Sequence, residues 1–326
     1  MRVVVLLDCV GDVEAYLRDA FDGELEIDIY PDATERSTED IHALIAGANA
    51  VLTSLRTPVN AEFLDAAGPQ LRVVSNYAVG YDNIDLDAAE KRNVTVCYAP
   101  PPVREPTADI AWLLLLAAAR RAHEGQTLAR SGSWVGYEPK LLLGKRIIGA
   151  NLLVVGAGRI GSSIARRSLG WDMNVTYVAN SNKPDLESGP LNAQRVELHE
   201  GISKADFIVV SVSLNSETIG LIGRKEFSAM KSDAVFVNVS RGTVVDESAL
   251  VDALKHEEIF AAGLDVFENE PDIHPELLNM PRAFLLPHLG SATEEDRLDL
   301  TKLAVENAMA VLGGDSAPFQ VEPKAI

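Results

Sequence analysis

Arg241, Glu270 and His288 each follow an apolar run of strand character, and their side chains are the ones a proton transfer beside a developing negative charge requires. The runs are 234–240 (Ala-Val-Phe-Val-Asn-Val-Ser), 261–267 (Ala-Ala-Gly-Leu-Asp-Val-Phe) and 283–287 (Ala-Phe-Leu-Leu-Pro). Arginine is a permanent cation with a planar fork of donors. Imidazole titrates near neutrality without perturbation, and a neighbouring carboxylate favours its charged form. Ligands of an open parallel sheet collect at the carboxyl ends of its strands, so these three residues are expected to converge there. Taken singly, each reads equally as a surface residue. The other histidines, His42, His123, His199, His256 and His274, sit in helical or loop contexts without the Pro-His-Leu-Gly-Ser setting of 287–291.

The elements upstream suggest what the three would act beside. Gly156-Ala-Gly158-Arg159-Ile160-Gly161 follows the apolar run 151–155 and opens a helix through Arg167, the strand–turn–helix context of a dinucleotide fingerprint. Gly156 permits the tight turn, Gly158 lets the backbone approach a pyrophosphate, and Gly161 lets helix and strand pack closely. The helix N-terminus adds N–H donors and partial positive charge. After the next strand comes Ala179-Asn180-Ser181-Asn182-Lys183. An acid in this position would bond both ribose hydroxyls and repel a 2′-phosphate; here Ala179 stands in its place. Asn180, Ser181 and Lys183 can donate to that phosphate instead, which predicts NADPH/NADP as preferred cofactor with NADH/NAD possible. The segment 180–184 (Asn-Ser-Asn-Lys-Pro) also reads as a plain polar turn.

Two series of short apolar runs alternate with helical stretches, the pattern of parallel α/β architecture. The first covers 1–98, with runs at 3–7, 25–30, 50–53, 73–75 and 94–97; the second runs from 151 to 286. Between them a proline-rich connector leads into a helix expected from about Glu105 to Ala122, with Pro106 in its first turn. The helical segment from Ser291 is too short to be a domain and is expected to fold back on the first series. The predicted fold is two Rossmann-like lobes, each a parallel sheet flanked by helices. A substrate-binding domain of 1–98 plus 291–326 is interrupted by a dinucleotide-binding domain of 99–290.

Composition narrows the partners. The 326 residues, 47% hydrophobic and 24% charged, suit a soluble globular chain of two domains. A net charge of -19 argues against nucleic acid or an anionic membrane surface. It also repels anionic ligands at long range, so local cations, namely Arg159, Arg241, Lys183 and Arg56, must offset it. Asp8 interrupts the apolar opening 1–7, which reads as a strand and not a leader. The run 112–119 is too short to span a bilayer. Two cysteines, Cys9 and Cys97, offer neither a disulfide framework nor metal-ligand spacing, pointing to a reducing cytoplasm and no metal site.

Four segments in combination, 155–161, 237–247 (Val-Asn-Val-Ser-Arg-Gly-Thr-Val-Val-Asp-Glu), 263–271 (Gly-Leu-Asp-Val-Phe-Glu-Asn-Glu-Pro) and 286–293 (Leu-Pro-His-Leu-Gly-Ser-Ala-Thr), resemble the D-isomer-specific 2-hydroxyacid dehydrogenases, above all their glyoxylate, hydroxypyruvate and 2-ketogluconate reductase branch. The resemblance covers nearly the whole chain. It implies reduction of a small anionic 2-oxo acid, with His288 as proton donor, Glu270 supporting it, and Arg241 binding the carboxylate and keto oxygen. It further implies that the backbone of Val79 and Gly80 holds the substrate carboxylate, with Arg56 as a possible added cation. Asp265, Val239 and Ser240 would position the carboxamide of the cofactor, with Thr107 beside the nicotinamide and Gly290 among the cofactor-binding residues, and a homodimer is the expected assembly. Ser213-Leu214, in the adenosine-side loop, departs from the Leu-Pro common in the family. The rivals are D-3-phosphoglycerate dehydrogenation and a nucleotide-sensing, corepressor-like binding protein.

Overall fold

The computed structural model of the chain describes residues 1–322. It divides into two compact units, one of Met1–Val103 with the described residues from Ser291 onward, the other of Arg104–Gly290. The division falls five residues later than the expected 98/99 boundary. Tyr98 N donates to Phe319 O at 3.1 Å and Ala99 N to Ala78 O at 2.8 Å, so the start of the proline-rich connector is tied into the first unit.

The first unit contains β1 (Arg2–Val5), β2 (Glu26–Ile29), β3 (Ala50–Thr53), β4 (Val73–Asn76) and β5 (Thr95–Cys97), all parallel in the order β2-β1-β3-β4-β5. Alternation along β1 sends Val3 and Val5 to one face and Val4 to the other, and both faces are buried. That is why the run reads as continuously apolar. One face is covered by the helix Glu294–Gly313, whose Ala304, Val305, Ala308 and Met309 pack with Val3, Val5, Leu52 and Val73. Thr293 caps this helix by accepting from Asp296 N at 3.0 Å, and Gly314 ends it in the left-handed region at φ 94°. Ser75 Oγ donates to Ala304 O at 2.8 Å, fixing the returning helix on the sheet.

The second unit holds a seven-stranded parallel sheet of β6 (Asn151–Val155), β7 (Asn174–Val178), β8 (Gln194–Arg195), β9 (Phe207–Val210), β10 (Val235–Asn238), β11 (Ala261–Leu264) and β12 (Ala283–Leu285). Its order is β12-β11-β10-β9-β6-β7-β8. The direction of winding reverses between β6 and β9, so the crevice beyond their carboxyl ends is the place where this architecture binds ligands. Leu152 and Val154 enter one core layer, and Leu153 and Val155 the other.

The helix expected over 105–122 is shorter, Arg104–Ala119. Lys145 N takes the Ala119 carbonyl at 2.8 Å, and Arg121 turns left-handed at φ 56° to begin a second helix, Ala122–Ser131. A tertiary hydrogen bond here overrides the continuous helical pattern. Trp112 Nε1 donates to Ile164 O at 3.0 Å, locking the long helix against the one that follows the glycine turn. No helix among the described residues is long and apolar enough to cross a membrane.

Candidate active site

Three neighbouring strands, β10, β11 and β12, end in the residues that could do chemistry. Asn238, the last residue of β10, organises the first. Its Oδ1 accepts from Ser240 N (3.0 Å) and Ser240 Oγ (2.7 Å), while its Nδ2 donates to Arg241 O (3.0 Å). The chain is thereby turned at Val239-Ser240, both buried, and Arg241 emerges half-buried with Nη1 donating to Ser240 O at 2.9 Å. Gly242 follows for a steric reason: a Cβ there would lie 1.8 Å from Phe267 C and 1.9 Å from Phe267 O. The backbone after β10 therefore lies directly on the backbone after β11, which carries Arg241 towards the segment containing Glu270.

Glu270 is held from within that segment. Its Oε1 accepts from Phe267 N at 3.0 Å and its Oε2 from His288 Nδ1 at 2.7 Å. Burial alone would raise this carboxyl. The His288 hydrogen bond and charge, the Phe267 N–H and the Arg241 guanidinium outweigh it and hold Glu270 below the ordinary glutamate range. An ionised carboxylate only accepts, so the proton on Nδ1 is assigned to the His288 side of the bond and Nε2 is the nitrogen left to exchange a proton with a ligand. The side chains are 37% and 34% exposed. The pair therefore contributes more to orienting the ring than to stability.

His288 takes the left-handed conformation, φ 55°, which histidine tolerates better than most residues. Its N–H donates to Asp265 O (2.9 Å) and Leu286 O (3.1 Å). Asp265, 1% exposed, accepts from Leu289 N at 2.7 Å through Oδ1. Burial pushes its carboxyl up to about 6, against the opposing pull of the Leu289 N–H and of His288. Thr107 Oγ1 donates to Gly290 O at 3.1 Å, and a Cβ on Gly290 would sit 3.1 Å from that hydroxyl and 3.3 Å from Asp265 Oδ2. The structure thus gathers Thr107, Asp265, His288 and Gly290 at the ends of β11 and β12.

Sequence reasoning missed three supporting residues. Asn238 carried a signal, a polar residue inside an apolar strand run, and Gly242 a weaker one, a glycine directly after the arginine. Glu247 carried none, reading as a first-turn helix acid. It is 4% exposed, its carboxyl is pushed up by burial, and its Oε1 accepts from Glu268 N at 2.6 Å, bracing the segment that presents Glu270.

On the other side of the reversal the site is built from backbone. Gly156 has φ +96°, and a Cβ there would fall 2.7 Å from Val212 Cγ1 and 2.8 Å from its N. At Gly161 a Cβ would meet Gly156 O at 2.0 Å, so the helix Arg159–Arg167 starts hard against the turn. Gly158, its N-cap, supplies no side-chain cap, and nothing lies within 4 Å of where its Cβ would be. Open space before uncapped first-turn N–H groups, with Arg159 exposed and Ile160 half-buried beside it, fits a dinucleotide pyrophosphate. Beyond β7, Asn180 and Ser181 are exposed, and Lys183 Nζ donates to Ser181 Oγ at 3.3 Å. No group of three or more His, Cys, Asp or Glu among the described residues is arranged to hold a metal ion.

Val79, Gly80 and Arg56 belong to the first unit. Val79 and Gly80 follow β4 in a loop fastened by Asn76 Nδ2, which donates to Gly80 O (2.8 Å) and Asn83 Oδ1 (3.0 Å). Arg56 is exposed, with a 3.5 Å bond to Thr34 O.

A doubly wound, dinucleotide-binding unit whose strand ends present an arginine and a carboxylate-supported histidine defines a class of nicotinamide-dependent oxidoreductases. Residues 112–290 match the family model of the D-isomer specific 2-hydroxyacid dehydrogenase, NAD binding domain. The glyoxylate reductase of Thermococcus gammatolerans is 38% identical over 305 residues, 92% of this chain and 91% of that one. That of Korarchaeum cryptofilum is 40% identical over 304 residues, again 92% and 91%. Among solved structures, a glyoxylate reductase from Paecilomyes thermophila superposes with TM-score 0.87 at 33% identity, covering 98% of both chains. An NADPH-dependent glyoxylate/hydroxypyruvate reductase from Sinorhizobium meliloti, in complex with NADP and malonate, gives TM-score 0.84 at 30% identity over 100% of this chain and 99% of that one. The chain belongs to the D-isomer-specific 2-hydroxyacid dehydrogenase family. It is an oxidoreductase acting on CH–OH groups, with an NAD(P)-binding domain, and interconverts 2-oxo and 2-hydroxy acids.

Proposed function

We propose that the chain reduces a short 2-oxo acid, glyoxylate or hydroxypyruvate, to the D-2-hydroxy acid, with NADPH preferred over NADH. The observation that carries the chemistry is the 2.7 Å contact between Glu270 Oε2 and His288 Nδ1, with Arg241 near enough to depress the same carboxylate. When bound, the dinucleotide supplies the hydride. His288 delivers a proton from Nε2 to the keto oxygen as negative charge builds there, and Glu270 keeps the ring oriented through its bond to Nδ1. Arg241 offers its fork to the carboxylate and keto oxygen, orienting the substrate and stabilising the developing alkoxide. Thr107, Val239, Ser240, Asp265 and Gly290 form the wall for the nicotinamide carboxamide; the burial of Asp265 and its bond to Leu289 N support that role.

The nucleotide preference rests on Ala179, where no carboxylate opposes a 2′-phosphate, and on Asn180, Ser181 and Lys183, which offer donors. The NADPH-dependent relative supports it. A homodimer in the cytoplasm completes the reading. The test is a panel of 2-oxo acids assayed against both reduced nucleotides. The highest kcat/KM is expected for glyoxylate or hydroxypyruvate with NADPH; a higher kcat/KM with NADH refutes the cofactor preference, and no turnover of either acid refutes the substrate.

A further inference from the structure

The loop 179–183, proposed to take the 2′-phosphate, is not self-supporting. Asn180, Ser181 and Asn182 are exposed, so the core does not hold their side chains. The support comes from the edge strand β8. Arg195 is the register partner of Tyr177, and its guanidinium reaches across the end of β7 to three residues of the loop. Nε donates to Ala179 O at 2.8 Å, one terminal nitrogen to Asn182 Oδ1 at 3.2 Å, and the other to Asn180 O at 3.5 Å. From the opposite end, the fully buried Tyr177 accepts from Lys183 N at 2.7 Å and donates to Glu187 Oε1 at 2.6 Å. Burial, reinforced by that carboxylate, raises the phenol, which keeps the hydroxyl protonated as a donor.

We propose that Arg195 is a positioning residue for nucleotide choice: its guanidinium braces Ala179, Asn180 and Asn182 so that the donors of Asn180, Ser181 and Lys183 face one point and discriminate a 2′-phosphate from a 2′-hydroxyl. The inference rests on the NADPH reading above. Its physical basis is preorganisation. Loop donors that are already ordered lose less freedom on binding, and a planar fork holds several acceptors at once where a lysine ammonium on a flexible stem does not.

The test compares 2′,5′-ADP with 5′-AMP, two probes of the adenosine half that differ only in the phosphate, by calorimetry on the full chain. The wild-type protein is expected to bind 2′,5′-ADP more tightly. Arg195→Met should reduce that preference about tenfold while 5′-AMP binding changes less than threefold, which also shows that the variant is folded. In turnover, the KM for NADPH should rise with kcat held, and the KM for NADH should move little. Arg195→Lys keeps the charge without the fork and should fail in the same way. If the wild-type protein does not distinguish the probes, the NADPH reading itself is lost, and this inference with it. If it does distinguish them but Arg195→Met keeps the preference, or Arg195→Lys restores it, the bracing role alone is overturned.

Discussion

The first strand-to-helix turn occurs in both units, and the two copies are built for opposite ends. After β1 the chain reaches Gly11 at φ +87°, where a Cβ would meet Leu298 Cδ1 at 2.7 Å, and Asp12 then caps the helix Val13–Asp19 by accepting from Ala15 N at 3.0 Å. That turn is filled by its own neighbours and its helix N-terminus is satisfied by its own carboxylate. After β6 the N-cap is Gly158, with no side-chain cap and no atom within 4 Å of a would-be Cβ. One topology thus serves as plain scaffold in the first unit and leaves, in the second, the open helix N-terminus proposed above as the pyrophosphate site. The difference lies in whether the cap position carries an acid or leaves its place to a ligand.

That contrast can be broken from either side. The largest effect is expected at the strand ends proposed to carry the second unit's chemistry. His288→Ala and Arg241→Ala should each lower kcat/KM more than a hundredfold, about 3 kcal/mol, by analogy with the loss of an oxyanion donor. Dinucleotide affinity should be retained, and near-wild-type turnover by either variant would remove that residue from the mechanism.

Next comes the buried carboxyl beside them. Asp265 has its pKa raised to about 6 in the folded protein, so the folded state binds this proton more tightly than the unfolded chain does. Stability is therefore lost as pH rises through the window from about 4 to about 6, by up to roughly 3 kcal/mol. Asp265→Asn should gain on the wild-type protein across that window, followed by denaturant unfolding at several pH values; a difference independent of pH would mean the carboxyl is not shifted. Glu270 has the opposite sign. Its pKa is held down, so its contribution is present above the unfolded value and is lost as pH falls through the folded one.

Smaller in energy, but sharper for the comparison, is Gly158→Asp, which would give the second turn the first one's cap. Calorimetric titration with the nucleotide should show binding lost, while thermal stability holds or rises by up to about 1 kcal/mol. Retained binding would mean the open cap is not the anion site. The reciprocal change is the mildest: Asp12→Ala should cost about 1 kcal/mol of stability and leave the KM for the nucleotide unaltered.

Much of the fold was legible because the central strands of both sheets are buried on two faces and appear as short apolar runs, such as 3–5 and 207–210, whereas the edge strands Glu26–Ile29 and Gln194–Arg195 carry polar, exposed residues. The long helix was misjudged at its end, since nothing in the sequence from Ala119 to Ala122 shows that Lys145 will claim the Ala119 carbonyl. In the site, the glycine turn and the three chemical residues stood out by type and setting. Asn238 showed only as a polar residue inside an apolar run, and Glu247 not at all, because its buried hydrogen bond to the Glu268 backbone, 21 residues on, has no periodic signature.

Residue chemistry and local spacing, then, were enough to choose a doubly wound dinucleotide fold and to single out Arg241, Glu270 and His288, because strand periodicity, a glycine turn and side-chain type are local properties. Only the tertiary structure could lay the backbone of Gly242 on Phe267 and turn His288 left-handed onto Glu270. The same holds for the reach of Arg195 across the end of β7. These contacts join strand ends that follow one another in the sheet but lie apart along the chain, and their distances are set by packing, which no single segment encodes.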